Sequence, residues 1–313
     1  MHFRIFILEV ELNMIRAKRC NKVLEEKIIN GVPILEFPSL SQFDFIRHAF
    51  STRLGGVSKG EWSSMNFSFS RGDDPEAVLK NYEIMSTVLA CDVKDMVASK
   101  QTHTTNIRRV SSVDKGKGIV VEADYDNVDG FITNEPDIVL STFYADCVPL
   151  YFVDPVHKAI GLAHSGWRGT AMQMGKCMVE AMQENFESKP EELVVAIGPS
   201  ICQDCYEVDS TVANVFVDLF KDSDEVLKLI EDKFDYFPDG KMHRPVIKGK
   251  QEGKYQLDLW LSNLIILLNA GVNINNISVT DLCTCHNPDY LFSHRASKGK
   301  RGNLGAFLKL EVI

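Results

Sequence analysis

The chain has 313 residues, 45% of them hydrophobic and 25% charged, a globular balance that permits a sizeable core and argues against disorder. Its formal net charge of −9 disfavours a nucleic-acid coat, because binding a polyanion relies on clustered Lys and Arg releasing counterions. The apolar run 264–268 falls far short of the roughly 20 residues that cross a bilayer, so no transmembrane helix is expected.

Residues 1–10 mix Arg4 and Glu9 into an apolar stretch and lack the long apolar region and cleavage site of a secretory signal. Met14 is an alternative start. The eight cysteines are scattered, with only Cys202/Cys205 and Cys283/Cys285 close together. Without an export signal they read as reduced thiols or metal ligands, and the expected compartment is the cytoplasm.

Asp73-Asp74-Pro75 begins a helix that runs to about residue 90, with Val78, Tyr82, Met85 and Leu89 on one face. The apolar runs 138–143, 148–153 and 159–163 read as buried strands, the last two joined by a turn at Asp154-Pro155. A helix follows Trp167, and its stripe of Ala171, Met174, Met178, Ala181 and Met182 reads as core packing. Strand 193–197, helix 211–220, an amphipathic helix over 257–269 and closing strands at 277–280 and 306–310 complete the pattern. Residues 221–253 read as a charged, irregular surface excursion. Strands and helices interleave without a strict βαβ rhythm, so a layered mixed-sheet α/β (α+β) fold is expected. No linker divides the chain; one domain over 1–313 is expected, with its core at about 45–313 and an extension over 1–30. Lys298, Lys300 and Arg301 form the one basic cluster and read as a solvated loop.

Reactive side chains gather in three segments: Lys100-Gln101-Thr102-His103, Ala145-Asp146-Cys147-Val148-Pro149 and His164-Ser165-Gly166-Trp167-Arg168-Gly169-Thr170. Cys147 and His164 lie at strand ends, where side chains are held firmly yet reach solvent. Two imidazoles and a thiolate, His103, Cys147 and His164, would make a catalytic zinc site with a fourth position open to water or substrate. The same residues also fit a metal-free hydrolase, with Cys147 as nucleophile, His164 as base and Asp146 or another carboxylate orienting the imidazole. A non-enzymatic metal-binding protein is a third reading.

These segments resemble the YfiH family, long labelled multicopper polyphenol oxidases or laccase-domain proteins and later linked to purine nucleoside metabolism. Further matching pieces are Phe50-Ser51-Thr52-Arg53-Leu54-Gly55-Gly56-Val57-Ser58, Gly72-Asp73-Asp74-Pro75, Val128-Asp129-Gly130, Ala196-Ile197-Gly198-Pro199-Ser200-Ile201 and Asp281-Leu282-Cys283-Thr284. They run in family order from about residue 45 to the C-terminus. The resemblance implies zinc on His103, Cys147 and His164. It also implies phosphorolysis of adenosine, inosine and methylthioadenosine, deamination of adenosine, and a layered fold shared with deamidase toxins that use a Cys–His pair. Its small-molecule partners would then be a nucleoside and phosphate. Some members are named peptidoglycan editing factors, which keeps an amide or cell-wall precursor as the alternative substrate.

On that reading Arg53, in a Gly-rich turn, and Arg168, at a helix start, are candidates to hold phosphate. Asp146 is an acid/base or supporting carboxylate, Asn66 lines the substrate pocket and Arg295 contacts substrate. The tail departs from the family's aromatic-Ser-Tyr-Arg-Arg pattern at His294 and Ala296. Cys283, Cys285 and His286 read as structural rather than as a second metal site, as does the Cys202/Cys205 pair. Copper oxidase chemistry is disfavoured. A blue-copper oxidase needs a further histidine-rich cluster, whereas this chain has eight histidines and no His-X-His pattern. Copper remains a substitute for zinc at the trio.

Overall fold

The computed structural model describes residues 14–17, 23–234, 236–237 and 242–312. The readings of residues 1–10 lie outside it.

Two six-stranded mixed sheets form the centre. The first runs in the order Glu25–Ile29, Val32–Glu36, Ile46–Ser51, Leu304–Leu310, Val139–Tyr144, Met96–Ala98. It is antiparallel up to its last pair, which is parallel. The second runs Ile277–Val279, Val194–Ile197, Val148–Asp154, Ala159–Ser165, Gly130–Thr133, Ile107–Arg109. Its middle pairs are antiparallel and its two outermost pairs parallel.

Alternation along each strand explains how the layers stack, since successive side chains point to opposite faces. In Val148–Asp154, Tyr151 and Val153 turn inward to meet Leu140, Leu304, Ala306 and Leu308 of the first sheet. Val148, Leu150 and Phe152 turn outward, onto Met174, Met178 and Met182 of the helix Met174–Phe186 and onto the helix Leu259–Asn269. On the far side of the first sheet, Ile34, Ala49, Val139 and Phe307 receive Val78, Tyr82 and Met85 of the helix Pro75–Val88. The result is a helix–sheet–sheet–helix sandwich, the mixed α+β class read from the sequence. The Met stripe is core, as expected.

Asp74 caps Pro75–Val88, accepting from the Glu76 N–H at 3.0 Å. The helix after Trp167 is two pieces, Trp167–Ala171 and Met174–Phe186, separated where Gln173 takes φ 60°. Two readings need correction. The helix Leu259–Asn269 is not amphipathic: every residue from Leu259 to Leu267 is buried, because it is packed between the second sheet and the outer helices. The stretch 221–253 is not wholly irregular. It contains the helix Asp224–Lys233 and the strand Val246–Lys248, and that strand joins Lys254–Leu257 and Glu207–Asp209 in a small antiparallel sheet. Leu227 and Ile230 bury one face of the helix, an i, i+3 pair hidden among charges.

Candidate metal centre and substrate cavity

The antiparallel hairpin Val148–Asp154/Ala159–Ser165 sets two of the three candidate ligands. Its register pairs Pro149 with His164 and Val148 with Ser165, so Cys147 lies beside Gly166, one step past the last pair. A side chain at Gly166 would meet His103 Cδ2 at 2.8 Å and Cys147 Sγ at 3.1 Å; the ligands occupy the space its missing Cβ leaves. His103 comes from a loop and holds φ 67°, a left-handed conformation that non-glycine residues adopt only under local constraint.

That constraint is Asp129, which immediately precedes the strand Gly130–Thr133. Its carboxylate accepts from the backbone N–H groups of Thr102 (2.9 Å), His103 (3.0 Å) and Thr104 (3.2 Å). It also accepts from His164 Nδ1 at 2.8 Å, while its carbonyl accepts from the His164 N–H at 2.7 Å. One buried carboxylate therefore folds the His103 loop and fixes the His164 tautomer, leaving Nε2 as the free donor atom of that ring. Sequence reasoning quoted Val128-Asp129-Gly130 and gave it no role. The available signal was an Asp next to a Gly at the head of a strand, within one motif set with both histidines.

The donor atoms of His103, Cys147 and His164 lie within 4.8 Å of one another, with Cys147 Sγ 3.9 Å from His103 Nε2. The imidazole rings are 4.9 Å apart and nearly perpendicular. Burial pushes the Cys147 thiol up, but the charge of His164 and hydrogen bonds from both imidazoles outweigh it and hold the thiol down at about 6. Burial opposes charge on His164 too. It is overcome by the Cys147 thiolate and by Asp129, which raise the imidazole to about 9. A thiolate, two imidazoles and a carboxylate behind one of them fit a divalent, nitrogen- and sulfur-preferring metal such as zinc.

All three residues line a cavity of about 460 Å³. One wall is aromatic: Phe69 stacks on Tyr82 with centroids 5.8 Å apart and planes 11° from parallel, and Phe143 meets Tyr82 edge-on. Arg71 and Arg301 line the same cavity. Arg301 is only 8% exposed and its buried Nε has no hydrogen-bond partner. Burial, together with the charge of Arg71, lowers the guanidinium to about 10. The reading of 298–301 as a solvated loop therefore holds for Lys298 and Lys300, which are exposed, and fails for Arg301. Its neighbour Gly302 packs against Asn66 and Phe292, turning the guanidinium inward.

The other sequence candidates do not line this cavity. Arg53 spends Nε on the Ser63 carbonyl and Nη1 on the Pro288 carbonyl, and lies 4.6 Å over the Phe292 ring. Asn66 is fully buried and bonds Ser68, Asp73 and the Asn303 N–H, which fixes the loop carrying Arg301. Asp146 accepts from the Thr284 hydroxyl and the Arg295 N–H, both at 2.7 Å. Arg295 itself holds the carbonyls of Cys205 and Glu207. Arg168 is exposed, stacked 4.5 Å over Trp167. Ser165 and Thr170 of the same motif bond each other at 2.9 Å and meet Asn263 of the buried helix.

The family model described as multi-copper polyphenol oxidoreductase laccase matches residues 47–311. Among curated relatives, the purine nucleoside phosphorylase YlmD of Bacillus subtilis is 34% identical over 265 residues, which cover 84% of this chain and 87% of that protein. The adenosine deaminase RL5, from an unknown prokaryotic organism, is 29% identical over 82% of this chain and 93% of its own length. Among solved structures, the crystal structure of YlmD from Geobacillus stearothermophilus superposes with a TM-score of 0.79 at 30% identity, covering 93% of this chain and all of that one.

Proposed function

The chain belongs to the laccase-like YfiH family, and from that membership and the cavity's chemistry we propose that it is a zinc-dependent purine nucleoside phosphorylase with adenosine deaminase capability. The observation that carries the reading is the pairing, across one cavity, of the His103/Cys147/His164 trio with two arginines, one of them buried and with an unsatisfied Nε. Such an arginine is a made place for an anion. The names of the relatives supply the substrate class.

His103, Cys147 and His164 would hold the metal. Zinc with one open position supplies Lewis acidity and lowers the pKa of water bound there. The chain's own residues do the rest. Arg71 and Arg301 bind phosphate and neutralise it against its attack on the sugar carbon. The aromatic wall at Phe69 and Tyr82 gives the departing base a face to stack on. Asp129 keeps a proton on His164 Nδ1 throughout.

Oxygen reduction by a trinuclear copper cluster finds no support in the ligands. Among the described residues, the other grouping of metal-binding side chains contains a single histidine, whereas such a cluster is rich in them.

The test is product analysis of zinc-loaded protein with adenosine, with and without phosphate. Phosphate-dependent adenine and ribose-1-phosphate are expected, abolished in His103→Ala and with a phosphate KM raised about tenfold or more in Arg301→Gln. Inosine formed without any need for phosphate would confine the activity to deamination. The depressed Cys147 thiol beside a raised His164 that Asp129 orients also fits the hydrolase alternative. In that case metal-stripped protein would turn over an amide substrate and lose that turnover on thiol alkylation.

A further inference from the structure

A second cluster of ligating groups lies away from the cavity, and neither the trio nor the substrate reading uses it. Cys202, Cys205, Cys283 and His286 place their donor atoms within 4.8 Å of one another. They come from two short segments with one spacing: Cys202-Gln203-Asp204-Cys205 and Cys283-Thr284-Cys285-His286. Each is a turn with ligand types at its first and fourth positions, the spacing that lets one turn offer two donors to one metal. The two turns are bound side by side. Ser200 and Cys283 form a parallel bridge, and the Thr284 N–H donates to the Ser200 carbonyl at 3.1 Å.

The surroundings are those of a thiolate site. The Cys202 N–H points at Cys283 Sγ at 3.3 Å, and Cys202 Sγ sits 3.8 Å from His286 Nδ1. Backbone N–H groups aimed at sulfur favour its ionised form. All four cysteines of the two segments are free thiols. Cys202 and Cys283 are buried, Cys205 is half-buried and His286 is exposed, so the cluster sits at the edge of the core with one side open to solvent.

We propose that Cys202, Cys205, Cys283 and His286 bind a structural zinc ion, distinct from the one at the trio. Three thiols and one imidazole complete a tetrahedral set from protein alone, so this site has no vacancy for substrate. On binding, the thiol protons pass to solvent and no redox change occurs. The ion ties the turn after the strand Val194–Ile197 to the segment 281–297. That segment carries Thr284, the partner of Asp146, and Arg295, which holds the Cys205 carbonyl at 2.9 Å. The site thereby fixes the wall behind Cys147 without touching substrate.

The deciding measurement is zinc content of the full chain, purified under reducing conditions without chelator. Two equivalents per chain are expected in the wild type, and one in each of Cys202→Ser/Cys283→Ser and His103→Ala/Cys147→Ala. A single equivalent in the wild type, unchanged by Cys202→Ser/Cys283→Ser, overturns the proposal. So does a disulfide among Cys202, Cys205, Cys283 and Cys285 in protein kept reduced. Should the double serine variant fail to fold, cobalt loading of His103→Ala/Cys147→Ala decides. An intense thiolate-to-cobalt charge-transfer band with tetrahedral visible absorption is expected, and its absence sinks the site. Loss of the second equivalent in Cys285→Ser, with His286→Ala unaffected, would overturn the ligand set. These readouts are independent of nucleoside turnover, so the site and the proposed activity stand or fall separately.

Discussion

Asp129 makes six hydrogen bonds to the two segments that carry the candidate ligands through its side chain and carbonyl, and it orients the His164 imidazole directly. Carboxylates that orient a metal-bound histidine are worth 10–100-fold in metal affinity. Asp129→Asn keeps an acceptor for the loop N–H groups but removes the charge behind His164. Zinc affinity measured by chelator competition is therefore expected to fall by about 10–100-fold, with secondary structure retained; unchanged affinity would mean that His164 needs no such support. The three candidate ligands were legible through the family resemblance of the motifs around them, since His103, Cys147 and His164 share no compact spacing. Asp129 was hidden because a carboxylate that acts through another residue leaves no spacing signal of its own. Arg301 was misread for a related reason. Charge in sequence indicates solvent, and only the close packing of Gly302 against Asn66 and Phe292 reveals an arginine turned inward. Arg53, Arg168 and Arg295, each weighed for a substrate role, lie away from this cavity: carbonyls hold Arg53 and Arg295, and Arg168 stacks on Trp167.

Among the elements, those with clean periodicity emerged nearly intact. The strands Val139–Tyr144, Val148–Asp154 and Ala159–Ser165 and the capped helix Pro75–Val88 match their sequence readings to within a residue or two at most ends. The helix Leu259–Asn269 was found, but its environment was not: uniform apolarity in Leu264–Leu268 signals burial on every side, which a one-sided reading ignores. The strand Ile46–Ser51 carries a buried polar feature with a measurable consequence. His48 is 4% exposed and its Nε2 accepts the Phe37 N–H at 2.8 Å, which requires the neutral ring. Burial lowers it to about 4, while the charges of Glu36 and Lys27 act in opposite directions. The unfolded chain protonates near pH 6.5, so the stability from this neutral imidazole is complete above that pH. It drains as pH falls toward 4, by about 3 kcal/mol for the full shift. Urea unfolding at pH 7 and pH 4.5 should show this loss in the wild type and a flatter dependence in His48→Gln. Equal slopes in the two proteins would place the acid sensitivity elsewhere.

Across the molecule, the two sheets share one interior layer, and Tyr151 links them directly: its ring is fully buried and its hydroxyl donates to the Ala49 carbonyl of the opposite sheet at 3.1 Å. Tyr151→Ala is expected to cost about 3–5 kcal/mol. The midpoints of tryptophan fluorescence, which reports Trp62, Trp167 and Trp260, and of far-UV circular dichroism should move together if the two sheets unfold as one unit. Separate midpoints would show that the sheets unfold independently. The layered class was legible because buried strands and one-faced helices leave few other ways to cover both kinds of surface. The pairing order was not, since parallel and antiparallel neighbours look alike in an apolar run. The excursion at 221–253 hid its helix because Leu227 and Ile230 are few among many charges. Cys283, Cys285 and His286 suggested a second metal site in sequence but lacked a fourth ligand nearby; the fold brings Cys202 and Cys205, distant in the chain, to Cys283 and His286.

The hairpin register described for Cys147 and His164 also sets an order of events during folding. Asp154 and Ala159 close the hairpin, so a short loop brings these two groups together at small entropic cost. His103 lies 44 residues from Cys147 along the chain. Its loop acquires shape only when Asp129 is in place and Ile107–Arg109 has paired in parallel with Gly130–Thr133, a slower class of contact. A full-length chain refolding from denaturant is therefore expected to bring Cys147 and His164 together before His103 joins them, and the interval between those steps is when an oxidant has its best access to Cys147.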